Sequence, residues 1–211
     1  MRFLLGTDEA GYGPNLGPLV VAASAWQVPR KVAAEKLYDC LGEVICREPP
    51  RDGDARLAIA DSKQLYHSGA SLAGLERGVL GLLSLLGRNV VAWKDVWPCF
   101  ANDAHAPNTP TNGWGFDSEP WHDGYDEPLP VAVTADELAR TVAFVADGCR
   151  SRQVSFLGLE AAVVSPRRFN DALTECGNKA EVLSLTTLRL ARKLIDALPS
   201  GDVQVVCDKH G

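Results

Sequence analysis

The chain has 211 residues, 46% of them hydrophobic and 23% charged, with a formal net charge of −6 at pH 7. A chain of this length hides roughly 70% of its unfolded surface, so a single domain over residues 1–211 with a real core is expected. Composition excludes collagen-like, disordered and disulfide-scaffold classes. No apolar run reaches the roughly 18 residues of a helical membrane span, and the opening apolar run meets Asp8-Glu9 too early for a secretory signal.

Residues 2–8 are extended and apolar and predict a first strand. Gly6, Gly11, Gly13 and Gly17 with Pro14 and Pro18 predict a turn-rich loop, and Leu19–Ala23 a second, buried strand. Pro29 can open a helix running to about Leu41. The charged, Pro-rich stretch 47–56 reads as a loop, and Leu57–Ala60 leads into Asp61-Ser62-Lys63. Ser71 is placed to cap a helix carrying Leu72, Leu75, Val79, Leu82, Leu83 and Leu86 on one side. Residues 89–93 read as a strand.

Residues 99–130 show no periodicity, and a stretch that long without structure marks an insertion. It is acidic: residues 95–139 carry nine Asp or Glu and no Lys or Arg. Removing those nine from the 27 acids leaves 18 against 21 bases, so the remainder is mildly basic at +3 and compatible with a polyanionic partner. Beyond it, Thr134-x-x-Glu137 is a capping-box sequence for a helix to about Cys149. Val154–Val164 reads as a strand. Ser165-Pro166 starts another helix, and residues 179–198 carry leucines at helical spacing. Pro199-Ser200-Gly201 ends that helix, and Val203–Cys207 is a last strand before Asp208-Lys209-His210-Gly211. Strands interleaved with helices indicate a layered α/β fold, and the stop just past a strand reads as an incomplete C-terminus.

The six cysteines form no C-x-x-C pair and several sit in apolar patterns, which points to free thiols in a reducing, cytoplasmic setting. The four histidines show no zinc spacing. Carboxylates stand at three strand ends: Asp8 with Glu9, Asp61 and Asp208. Such groups are costly to desolvate unless they bind something, commonly Mg²⁺ through hard oxygens, and a pair of such ions clamps a phosphodiester for hydrolysis. The plainer reading makes them turn residues and helix caps, which is preferred for Asp61. Adjacent strand residues face opposite ways, so Asp8 and Glu9 serve one site only if the strand ends or bulges there.

The run Thr7-Asp8-Glu9-Ala10-Gly11-Tyr12-Gly13-Pro14-Asn15-Leu16-Gly17-Pro18 and the apolar strand after it resemble the opening motif of type 2 ribonucleases H, the ribonuclease HII and HIII family. Asp61-Ser62-Lys63-Gln64-Leu65 is similar to that family's D-S-K-x-L element, and Asp208 falls where its third carboxylate follows a helix and a strand. The resemblance implies a ribonuclease H-like fold, a mixed central β-sheet flanked by helices. It implies an endonuclease with two Mg²⁺ or Mn²⁺ ions; the oligomeric state stays open, a monomer being favoured. Its substrate would be the RNA strand of an RNA/DNA hybrid, or a ribonucleotide in duplex DNA.

Asp8, Glu9 and Asp208 would be the catalytic metal ligands. Gly11, Tyr12 and Gly13 would lie at the ribonucleotide, whose 2′-hydroxyl marks RNA, and Lys63 at a backbone phosphate. Three features depart from the family pattern. Tyr12 replaces the arginine of the G-R-G loop, removing a guanidinium fork. No fourth carboxylate follows Asp208. The insertion 99–130 has no counterpart in short family members. A catalytically inactive nucleic-acid-binding or regulatory protein of the same fold is therefore the alternative. A dinucleotide-binding loop is disfavoured, because Pro18 and a strand follow Gly17 where a helix is needed.

Overall fold

The computed structural model describes residues 1–10, 17–48, 51, 53–66, 71–100 and 124–207. The chain divides into two compact units: Met1, Trp26–Asp95 and Asp126–Leu157 in the first; Arg2–Ala25, Val96–Tyr125 and Gly158–Gly211 in the second.

In the second unit, strand β1 (Arg2–Ala10) pairs in parallel with β6 (Val203–Val206), Phe3 opposite Val203 through Gly6 opposite Val206. With β2 (Leu19–Val28) and β5 (Ser155–Val164) they form a four-stranded sheet in the order β5-β2-β1-β6. Parallel neighbours need a crossover. Here two helices, α6 (Pro166–Cys176) and α7 (Lys179–Ala197), precede β6. The sheet is mixed and helix-flanked, a general α/β architecture.

The core follows from strand and helix periods. Phe3 and Leu5 of β1 join Leu19, Val21, Ala23 and Ala25 of β2, Ala162 and Val164 of β5, and Leu183, Leu190 and Leu194 of α7. These are alternate positions on each strand and one stripe of the helix. Removing each large side chain from water contributes roughly 1.5–3 kcal/mol. Gly158 is required by closeness: a Cβ there would sit 2.8 Å from Leu194 Cδ2. Lys193 of α7 also donates to Glu160 of β5 at 2.6 Å, where the carboxylate is only 13% exposed.

The first unit is helical around a short two-stranded parallel sheet, β3 (Ile45–Cys46) with β4 (Leu57–Ala58). Helix α1 (Leu37–Leu41) packs on β3, and α3 (Ala73–Leu85) packs on β4, on α2 (Ser62–Leu65) and on α5 (Ala135–Ser151). The Thr134–Glu137 capping box forms as expected, with both reciprocal bonds present. The Glu76 carboxylate of α3 accepts from the backbone N–H groups of Val131, Ala132 and Val133 at 2.5, 2.6 and 3.0 Å, tying the entry to α5 onto α3.

Two expectations are corrected. The helix from Pro29 to Leu41 forms only at its end, as a 3₁₀ turn over Ala34–Lys36 and then α1. Val32 N–H donates to Pro29 O in a separate turn, and no side chain caps either helical piece. The strand expected over 89–93 is a single bridge between Ala92 and Pro128, after which helix α4 (Trp93–Phe100) begins. The Asp95 carboxylate accepts from Val91 N–H and Ala92 N–H at 3.0 and 2.9 Å, which bends the chain into the helix. Trp93 N–H to Glu127 O, Leu129 N–H to Val91 O and the Lys94–Asp126 ion pair at 2.7 Å close the base of the insertion. Its residues 101–123 lie outside the described residues.

Candidate functional site

Asp8 and Glu9 stand near the carboxyl end of β1, in the second unit. Strand pairing brings Phe3, Leu5, Thr7 and Glu9 to one face and Leu4, Gly6 and Asp8 to the other, since the strand runs unbroken to Ala10. The strand thus neither ends nor stops at the two acids. Asp8 is exposed and Glu9 half-buried. Asp8 Oδ1 accepts from Glu9 N–H at 2.9 Å, a local bond that fixes the carboxylate's direction. No Lys or Arg of the described residues pairs with either acid. Carboxylates are the donor type a divalent cation takes, but on opposite faces of β1 these two do not meet at one site.

One further group belongs to this strand end. Among the described residues, Thr7 Oγ1, on the Glu9 face, is buried without a hydrogen-bond partner. Thr187 Oγ1 of α7 is likewise unpartnered, in a side chain 2% exposed. Sequence reading passed over both, because an isolated threonine at a core-face position carries no local signal. Period-two counting from Phe3 and Leu5 would have marked Thr7 as a polar residue on the core face.

Lys63 belongs to the first unit, in the first turn of α2, and is exposed. Asp61 is the N-cap of that helix: its side chain accepts from Lys63 N–H at 2.8 Å. The cap accounts for Asp61 without a metal. Gly11, Tyr12, Gly13, Asp208 and His210 lie outside the described residues, as do Trp114 and Trp121. Among the described residues no group of three or more His, Cys, Asp or Glu is placed to hold a metal ion.

Two basic residues of α7 have structural partners. Arg192 pairs with Asp196 one turn on, at 2.7 Å, and Lys193 with Glu160. All six cysteines are free. Burial pushes the thiols of Cys46 and Cys149 up from their ordinary value, so both stay protonated at neutral pH and are poor nucleophiles. No helix among the described residues is long and apolar enough to cross a membrane.

No protein-family model matches the chain, and neither a curated protein nor a solved structure does.

Proposed function

We propose that the chain is a metal-dependent endoribonuclease of the type 2 ribonuclease H kind, with a ribonuclease H-like fold. It acts on the RNA strand of RNA/DNA hybrids or at ribonucleotides in duplex DNA. The observation that carries this reading is the parallel register of β1 on β6, in which Phe3, Leu4, Leu5 and Gly6 pair with Val203, Gln204, Val205 and Val206. Asp8 and Asp208 each stand two residues past the last pair, Gly6 with Val206. The motif from Thr7 to Pro18 supports the same reading.

Asp8, Glu9 and Asp208 would hold Mg²⁺ or Mn²⁺, which supplies an activated water and stabilises the leaving oxygen. The chain's own contributions are orientation and charge. The Asp8 carboxylate is held by Glu9 N–H; the resemblance would give Gly11, Tyr12 and Gly13 contact with the ribonucleotide and Lys63 contact with a backbone phosphate. Incubation with a hybrid, and with a duplex carrying one ribonucleotide, tests the proposal. Nicks that need Mg²⁺ or Mn²⁺ and leave 3′-hydroxyl ends are expected, and Asp8→Asn should abolish them. Nicking that survives Asp8→Asn would sink the mechanism.

One observation favours the second reading, a binding protein without catalysis. The unbroken strand sends Asp8 and Glu9 to opposite faces. That reading expects hybrid binding at low salt with no cleavage in either metal. Failure to bind at low salt would remove it.

A further inference from the structure

We draw no further inference here: the strongest candidate, the outer edge of β6 at the margin of the four-stranded sheet, where Val203, Val205 and Val206 are exposed, carries none because nothing in the structure shows what covers it.

Discussion

Gly148 lies in the last turns of α5, where alanine is ordinarily the better residue. Replacing an interior helical glycine with alanine should stabilise the protein by about 1 kcal/mol. Here the structure reverses the sign. A Cβ built on Gly148 falls 2.1 Å from Val44 Cγ1, 3.1 Å from its Cβ and 3.2 Å from its Cγ2. Carbon atoms in contact prefer about 3.5–4.0 Å, so either the helix or the segment bearing Val44 must retreat by more than an ångström. Neither moves easily. Val44 is 2% exposed, its branched side chain has few rotamers, and its carbonyl accepts from Leu57 N–H at 2.9 Å. Helix α5 is fixed at its start by the capping box. Overpacking of this kind typically costs about 1–3 kcal/mol. Because a 2.1 Å approach is severe, the upper half of that range applies. After the helix-propensity gain, Gly148→Ala should destabilise by about 1–2 kcal/mol, a fall in melting temperature of about 2–8 °C for a chain of this size. Thermal and urea unfolding followed by circular dichroism would measure it. Adding Val44→Ala should recover part of the loss, with a coupling energy of about 1 kcal/mol for residues in direct contact. A stabilised Gly148→Ala, or strictly additive single and double variants, would refute the reasoning.

Two further outcomes are expected. Asp61→Ala should cost about 1 kcal/mol by removing the cap of α2, whereas Asp61→Asn should be nearly neutral because asparagine caps as well. Nicking by Asp61→Asn at the wild-type rate would agree with a cap role; complete loss of nicking, with the melting temperature unchanged, would make Asp61 a metal ligand instead. The side-chain hydrogen bond from Arg56, helped by a backbone one, holds the Asp54 carboxyl below its usual range. The folded value being depressed, this pair's stabilisation is complete above the ordinary aspartate value of about 3.9 and disappears as pH falls through the folded value. The advantage in melting temperature of wild type over Asp54→Asn should therefore be constant near neutrality and shrink in strong acid. An equal gap at pH 7 and pH 2, in a pH-melting series, would be inconsistent with that shift.

How far the sequence could be read depends on how local each cause is. Thr134 and Glu137 are three residues apart, and their capping box starts α5 where the sequence places it. Leu183, Leu190 and Leu194 recur at helical spacing, and α7 follows. The region around Trp93 behaves differently. Asn89-Val90-Val91-Ala92-Trp93 has strand composition, yet Glu127 and Leu129 engage Trp93 and Val91 from across the insertion, and Asp95 turns the chain into a helix. Glu127 and Leu129 are more than thirty residues away, beyond any local window. The two-residue strand β3 has a similarly non-local cause: Ile45 and Cys46 are strand because Leu57 and Ala58, in the apolar run before Asp61 that the sequence reads as a strand, lie beside them.

The candidate site divides along the same line. The motif around Asp8 and Glu9 is local, and the sequence places it correctly at a strand end. What it cannot show is whether the strand stops there. Pairing carries β1 through both acids to Ala10, so the geometry that would let them share a cation depends on the conformation of the ends of β1 and β6. The neighbouring hydroxyls illustrate the converse. Thr7 and Thr187 look like ordinary core-face residues in sequence, and only packing shows that their oxygens are buried without a partner.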